Sequence, residues 1–342
     1  MEKDNRSKAR DSSYVELWHQ NPQGHRPSIT IALVELSIQE QHMSQKLRIF
    51  ALTSLMLVGF SVGHSRSDAA YGDESKSRNS RNQCSDSRSD RSMLNVVGLT
   101  SDQRLICFNE RNPNKVTNIG SVSGLSGGDT LLVGIDYRVQ DGMLYGVGNM
   151  GGIYQLNVMD AKAMLVNRLS VPLSGTAFGV DFNPVADRLR IVSNTGQNLR
   201  HNINKDGVTV ADTALNYTVG VPAMGIVGSA YTNNDLDPTT NTTLYNLDST
   251  LDQIVVQSPP NNGSLVATGK LTVDAMAVVG FDMHSTLREG VTVDLQSLAA
   301  VKMANGMTNL YSINVLTGKA TSRGMLSRQN AVIDIAIPLN QF

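Results

Sequence analysis

The chain has little cysteine, little aromatic character and almost no net charge. Two of its 342 residues are cysteine, 5% are aromatic, and the formal net charge is −1 at pH 7. A near-neutral chain has no overall electrostatic attraction to nucleic acid or to an anionic membrane, so we expect it to bind neither. Cys84 lies in a polar tract, and together with Cys107 it indicates neither a disulfide framework nor a cysteine-based zinc site.

The sequence offers little support for the common catalytic and nucleotide-binding folds. It contains no P-loop. The G-x-S-x-G patterns at residues 59–63 and 124–128 and the G-x-G-x-x-G pattern at residues 146–151 lack the strand-to-helix context that a nucleophile elbow or a dinucleotide-binding fingerprint requires. Of its six histidines, only His201 and His284 fall in the part of the chain that we expect to fold. A histidine-rich metal site and a Ser-His-Asp hydrolase are therefore disfavoured.

One long apolar run stands out, at residues 49–62. It is shorter than the roughly 20 residues that a membrane-spanning helix needs. Lys46 and Arg48 precede it and small or polar residues follow it, as in a secretory signal peptide. We interpret residues 43–70 as that signal peptide, with Met43 as the true start and residues 1–42 as no part of the mature protein. The mature chain is then exported to the periplasm or the exterior and has no membrane span.

The rest of the chain divides into a polar linker and a folded part. Residues 71–92 are mostly Ser, Arg, Asn and Asp, a composition that cannot bury enough apolar surface to fold. In residues 93–342 the apolar runs are short, separated by Gly, Asn or Asp, and without helical periodicity. This pattern predicts an all-β domain.

A repeated motif predicts how the strands are arranged. Residues 134–137, 179–182 and 280–283 share the pattern Gly, apolar, Asp, apolar; residues 332–335 lack the glycine, and residues 228–231 carry Ala230 in place of the aspartate. The positions of these five central residues are 45, 49, 52 and 52 residues apart. These spacings are close to the length of one four-stranded propeller blade, so we expect five blades.

The two ends of the folded part complete each other. Residues 331–338 form a leading strand with no strands after it, whereas the strands predicted between residues 95 and 122 have no leading strand before them. Joining the C-terminal strand to these N-terminal strands closes a five-bladed β-propeller and removes its exposed sheet edges. Two alternatives stay open: six blades, if residues 291–303 add a pair of strands, or an open β-sandwich.

Several segments resemble a bacterial family, number 4394 in the series of domains of unknown function. The resemblance lies in SGTAFGVDFNP at residues 174–184, DRLRIVSNTGQNLR at residues 187–200 and LTSDQRLICF at residues 99–108. It extends over residues 95–338. The resemblance implies an exported, propeller-like domain and brings no activity with it.

The repeated aspartates are the first candidate site: Asp136, Asp181, Asp282 and Asp334. Leading strands line the channel of a propeller, so these side chains should lie at one height around it. Such a ring could bind calcium or supply an acid/base pair. We favour a structural role, in which each carboxylate accepts hydrogen bonds from turn amides or pairs with an arginine such as Arg138 or Arg190.

A second group of candidates would suit a hydroxyl-rich ligand such as a sugar. It comprises Asn194, Gln197, Asn198, Arg200 and Tyr231, with Asn233 and Asn234 close by. Amide groups and an aromatic ring are typical of sugar sites. We favour the alternative that SNTG and TNND simply form tight turns.

Two classes of function follow from these residues. The first, which we favour, is a monomeric, non-catalytic binding or interaction module of the cell envelope, with a protein or a glycan as partner. The second is a carbohydrate-active hydrolase or lyase that uses the channel aspartates. Catalysis by paired carboxylates needs oxygens roughly 5–10 Å apart in an open cleft. No cofactor is evident, and calcium is the cation that the aspartates would suit.

Overall fold

A computed structural model of the chain describes residue 84 and residues 93–204, 206–237, 239–276, 279–339 and 341. The expectations for residues 1–42, for the signal peptide at 43–70 and for nearly all of the linker at 71–92 lie outside the described residues. No helix in the described parts is long and apolar enough to cross a membrane.

The described chain is all-β and builds five four-stranded antiparallel sheets, which we number as blades 1 to 5. Blade 1 joins the C-terminal strand to three N-terminal strands, and each other blade uses four consecutive strands. Blade 1 contains β1 (Asn95–Thr100), β2 (Arg104–Asn109), β3 (Asn112–Ser121) and β22 (Val332–Ala336). Blade 2 contains β4 (Leu132–Tyr137), β5 (Leu144–Gly148), β6 (Gly152–Leu156) and β7 (Ala163–Arg168).

Blade 3 contains β8 (Phe178–Asn183), β9 (Arg188–Ser193), β10 (Asn198–His201) and β11 (Thr209–Ala211). A small hairpin of β12 (Asn216–Thr218) and β13 (Val221–Pro222) follows it. Blade 4 contains β14 (Ile226–Tyr231), β15 (Leu244–Asp248), β16 (Gln253–Gln257) and β17 (Leu265–Lys270). Blade 5 contains β18 (Val279–Arg288), β19 (Val291–Lys302), β20 (Thr308–Ile313) and β21 (Ala320–Met325).

The five leading strands, β22, β4, β8, β14 and β18, form a ring. Each of them contacts the leading strands of both neighbouring blades. β22 pairs antiparallel with β1, from Val97 opposite Ala336 to Thr100 opposite Val332. The predicted five-bladed propeller, closed by its C-terminal strand, is thereby confirmed.

The two alternative folds are wrong. Residues 291–303 do not add a pair of strands, because β19 is one long strand that pairs with β18 from Val279 opposite Val301 to Arg288 opposite Val291. Blade 5 therefore carries a long hairpin, and the count stays at five. The fold is not an open sandwich either, because β22 completes the sheet of β1 and so closes the ring of blades.

The apolar residues of each leading strand pack between blades. In β8 the alternating residues Phe178, Val180 and Phe182 are buried in one cluster, together with Tyr145 and Val147 of blade 2. The alternation of these apolar residues with Gly179 and Asp181 is what a strand with one apolar face produces. Each buried side chain of this size stabilises the fold by about 2 kcal/mol, so these contacts help to hold blades 2 and 3 together.

A disulfide joins Cys84 to Cys107, with the two Cα atoms 5.8 Å apart. Cys107 is fully buried in β2, and Cys84 packs against the same apolar cluster. The sequence indicated no disulfide framework, and that expectation is wrong. The polar residues around Cys84 gave no sign that its side chain would reach the core of blade 1.

Loss of this disulfide should destabilise the protein by about 3 kcal/mol, because the bond joins residues 23 positions apart and restricts the unfolded chain. Cys84→Ala leaves Cys107 in its buried position, so the difference in stability between this variant and the wild type reports the loss of the disulfide. Chemical denaturation of this variant beside the wild type measures the difference, and a reductant should lower the wild type to the level of the variant. Equal stability of the variant and the wild type without reductant would contradict the presence of the disulfide.

Candidate functional site

The leading strands bury all four repeated aspartates. Their exposed fractions are 3–6%: Asp136 6%, Asp181 5%, Asp282 5% and Asp334 3%. Each aspartate follows a residue that packs into the interblade core, such as Ile135 or Val180. Because successive strand residues point to opposite faces, the aspartates are directed away from these apolar contacts.

Each aspartate accepts a hydrogen bond from a backbone amide of the next blade. The donors and distances are Ile135 N–H to Asp334 Oδ2, 2.8 Å; Phe182 N–H to Asp136 Oδ2, 2.7 Å; Tyr231 N–H to Asp181 Oδ1, 3.1 Å; and Ile337 N–H to Asp282 Oδ2, 2.6 Å. Ionised acceptors make such bonds stronger than neutral ones. The carboxylates therefore connect four of the five pairs of neighbouring blades.

The fifth interface, between blades 4 and 5, is built differently. Blade 4 carries Ala230 at the aspartate position, and here the backbone N–H of Asn233 donates to Ser285 Oγ, 3.0 Å away. The hydroxyl of Thr292 also donates to Asn233 Oδ1 at 3.1 Å. Ser285 and Thr292 were not recognised from the sequence, because neither belongs to the repeated motif.

Three of the four carboxylates converge. Asp136, Asp181 and Asp282, from blades 2, 3 and 5, each place one carboxylate oxygen within 4.8 Å of the others. Asp334 is not part of this group, and two amide N–H groups, those of Ile135 and Ile335, bind its two oxygens.

The arginines expected beside these aspartates pair elsewhere. Arg138 binds Asp141 and Asp187, and Arg190 binds Asp212 in its own blade. Among the described residues, no salt bridge involves any of the four repeated aspartates. Of the two kinds of partner expected, backbone amides and arginines, the described residues provide the amides.

Burial raises the pKa of all four aspartates. The pKa of Asp282 rises to about 7, and those of Asp136, Asp181 and Asp334 rise well above the usual range of an aspartate. The negative charge of Asp282 raises the pKa of Asp136 further. The pKa of Asp181 is raised by the charge of Asp136 and, to a smaller extent, by that of Asp282. The amide hydrogen bonds act in the opposite direction. Three carboxylates this close are stable together only if protons or a cation reduce their mutual repulsion.

The cavity beside the three carboxylates is very small. Its free volume is about 10 Å³. That is room for about one water molecule, whereas ligand pockets are typically about 300–1,000 Å³. Its lining includes the three aspartates together with Tyr137, Phe182, Tyr231, Asn233, Asn234 and Met283.

The residues proposed for a sugar site do not form one exposed surface. The side chain of Asn194 accepts from the backbone N–H of Thr176, and that of Gln197 accepts from Ser174 N–H, as expected of turn residues. Asn198 is buried and bonds to Arg190, while Arg200 pairs with Asp212. Tyr231 is buried beside the channel cavity.

Both ring nitrogens of His201 lie within hydrogen-bonding distance of neighbouring side chains. Its ring nitrogens lie 2.9 Å from Thr209 Oγ1 and 2.6 Å from Asn167 Oδ1. Burial, and then the charge of Arg188, lower its pKa to about 4. With both nitrogens in use, His201 has no free atom for general base catalysis.

Acid should destabilise the protein through His201. The unfolded histidine has a pKa near 6.5, so the unfolded state binds more protons than the folded state as the pH falls from about 6.5 towards 4. We expect the wild type to lose about 2 kcal/mol more than His201→Gln over this interval. Urea denaturation of both proteins at neutral and acidic pH measures this difference, and parallel pH profiles would contradict it.

A second cavity, which the sequence did not suggest, lies on blade 2. It has a volume of about 670 Å³. Its lining is largely apolar and includes Met143, Leu144, Leu156, Ala163 and Met164, with Lys162 as its one charged residue among those described. Met143 and Met164 are 49% and 61% exposed.

Solved structures show distant similarity to this chain. Hydrazine synthase of Kuenenia stuttgartiensis has 11% identity and a TM-score of 0.36, with coverage of 59% of this chain and 53% of that one. A structural genomics protein of unknown function from Bacteroides thetaiotaomicron has 12% identity and a TM-score of 0.40, with coverage of 68% and 55%. An auxiliary nutrient binding protein from the same species has 14% identity and a TM-score of 0.34, with coverage of 63% and 55%.

The chain spans about half the length of these solved structures. No curated protein matches it. Residues 104–336, more than half of the chain, match the family described as Domain of unknown function (DUF4394). The protein therefore belongs to the DUF4394 family.

Proposed function

We propose that this protein is an exported, non-catalytic binding module of the cell envelope. The geometry of the channel carboxylates carries the proposal. Their nearest oxygens lie within 4.8 Å of one another, their side chains are at least 94% buried, and the cavity beside them holds about 10 Å³. A glycosidic bond cannot enter this space, and catalysis by paired carboxylates needs oxygens roughly 5–10 Å apart in an open cleft.

Two observations support export. Residues 43–70 have the sequence pattern of a signal peptide. The disulfide between Cys84 and Cys107 agrees with it, because disulfides persist in oxidising compartments such as the periplasm and the exterior.

Export makes a direct prediction about the N-terminus. Protein recovered from its native host should begin between Arg66 and Gly72, since the small residues that a signal peptidase accepts lie just before these positions. N-terminal sequencing gives the result. Recovery from the cytoplasm with Met1 intact would refute export and leave the binding surface to be tested separately.

We assign the binding surface to the apolar cavity on blade 2. Its volume of about 670 Å³ falls within the usual range of ligand sites. Exposed methionines such as Met143 and Met164 adapt their shape to a bound group. We therefore propose a partner of the cell envelope that inserts an apolar group into this cavity.

Binding to isolated envelopes of the native host tests this assignment. We expect saturable binding by the wild type, and at least about tenfold weaker binding by Met164→Glu, because a charge in an apolar pocket costs more than 1.4 kcal/mol. Leu316→Glu is the matched control, because Leu316 is similarly exposed, at 67% against 61% for Met164, but lies on blade 5. Equal binding by all three proteins, or binding by none, would reject the surface. Sugar release from envelope glycans that Asp181→Asn abolishes would favour the hydrolase.

A further inference from the structure

We propose that Asp136, Asp181 and Asp282 together bind one calcium ion in the channel. Their three oxygens lie within 4.8 Å of one another, so a point between them exists that is no more than about 2.8 Å (4.8/√3) from each. Calcium takes oxygen ligands at 2.3–2.6 Å in flexible geometry, and small side-chain movements would close this difference. The site is independent of the binding surface on blade 2.

The charges around the cavity favour a cation. The three carboxylates come from three different blades, and none of the described residues that line the cavity is basic. The amides of Phe182, Tyr231 and Ile337 fix the carboxylates in place. Oδ2 of Asp181 makes no hydrogen bond to a described residue. A divalent ion would offset most of the negative charge that these fixed groups bring together.

Asn233 provides a second, independent observation. Asn233 lines the same cavity and is 97% buried, and its Nδ2 has no hydrogen-bond partner among the described residues. The amide cannot simply rotate to satisfy this donor, because Oδ1 accepts from Asp235 N–H at 2.8 Å and from the hydroxyl of Thr292 at 3.1 Å. A buried donor without a partner is costly. A water ligand of the ion would accept this hydrogen bond.

The size of the cavity favours calcium over magnesium. Magnesium usually keeps several of its waters and requires nearly ideal octahedral geometry. A free volume of about 10 Å³ has room for about one water. Calcium accepts irregular sets of carboxylate oxygens, so it fits a site with little space for water.

Terbium luminescence tests the site in the wild-type protein. Terbium substitutes for calcium and emits when a nearby tyrosine is excited, and Tyr137 and Tyr231 both line the cavity. After treatment with a chelator, the full chain should give a saturable terbium signal at one equivalent. Calcium should abolish this signal by competition, and magnesium at the same concentration should not. Absence of a signal, or a signal that calcium does not displace, would overturn the proposal.

Thermal melting of two variants locates the ion. At calcium concentrations about 100-fold above Kd, the Tm of the wild type should rise by about 5 °C. Asp181→Asn should lose this rise, because it removes a charged ligand while its amide oxygen can still accept from Tyr231 N–H. Asp334→Asn should keep it, because Asp334 has the same structural role but lies outside the cluster.

Two results of the melting experiment would contradict the site. An equal calcium response in wild type and Asp181→Asn would place the ion elsewhere. No response in the wild type would mean that protons alone reduce the repulsion between the carboxylates. If Asp181→Asn does not fold, the terbium titration of the wild type still decides the question.

Discussion

A chain that ends at Gln329 should fail to fold. It lacks β22, which supplies the leading strand of blade 1 and pairs with β1. It also loses the buried side chains of Val332, Ile335 and Ile337, each about 1% exposed. At about 2 kcal/mol for each side chain, their loss alone approaches the total stability of a typical domain, about 5–15 kcal/mol. The freed edge of β1 would further promote aggregation.

Circular dichroism and size-exclusion chromatography measure the outcome. We expect an unfolded or aggregated product, whereas addition of a peptide of residues 330–342 should restore a folded complex. The same peptide with Val332→Asp and Ile335→Asp should not restore it, because both side chains must enter the core. A truncated chain that stays soluble and melts cooperatively at the wild-type temperature would contradict ring closure by β22.

Gly280→Ala should destabilise the protein by about 4 kcal/mol. A Cβ atom at Gly280 would lie 2.6 Å from the backbone nitrogen of Ile335 and 2.8 Å from the Cα atom of Asp334. Both are backbone atoms of β22, so no side-chain rotation can relieve the contact. The leading strands of blades 5 and 1 would have to move apart, which would also disturb the bond from Ile337 N–H to Asp282.

Gly98→Ala is the matched control for this substitution. Gly98 lies on β1, and the atoms nearest to its Cβ position belong to side chains, at 3.1–3.3 Å. Side chains can shift by a few tenths of an ångström, so we expect a loss of no more than about 2 kcal/mol. Chemical denaturation of both variants compares them. Equal losses of stability in the two variants would show that the close approach of the leading strands is not the reason for the glycine at position 280.

The repeated motif made most of the fold predictable from sequence. Alternation in Phe178, Val180 and Phe182 marked β8 as a leading strand, and the repeat spacing set the number of blades. The unmatched segment at residues 331–338 predicted closure, and β22 lies within it. These features are local or periodic, and a single sequence displays both. The alternative of a sixth blade was left open because the length of a hairpin is not part of the repeat, and residues 291–302 proved to be one long strand, β19.

The site was less predictable, because its chemistry depends on contacts between distant residues. The motif identified the aspartates, but it could not show that their partners are amides of the next blade. Nor could it show that Asp334 stands apart from the other three. The disulfide of Cys84 and the link from Asn233 to Ser285 also join segments that share no pattern. The reason for the glycine at positions 179 and 280, a close approach of two backbones, is visible only in three dimensions.

Long-wavelength anomalous diffraction from crystals grown with calcium tests the channel site most directly. We predict one anomalous peak within about 2.6 Å of an oxygen from each of Asp136, Asp181 and Asp282, inside a ring of five leading strands. A second peak beside Asp334 is not expected, because Asp334 lies outside the cluster of three carboxylates. Calcium peaks only at other positions, or no peak between the three carboxylates at saturating calcium, would contradict the site.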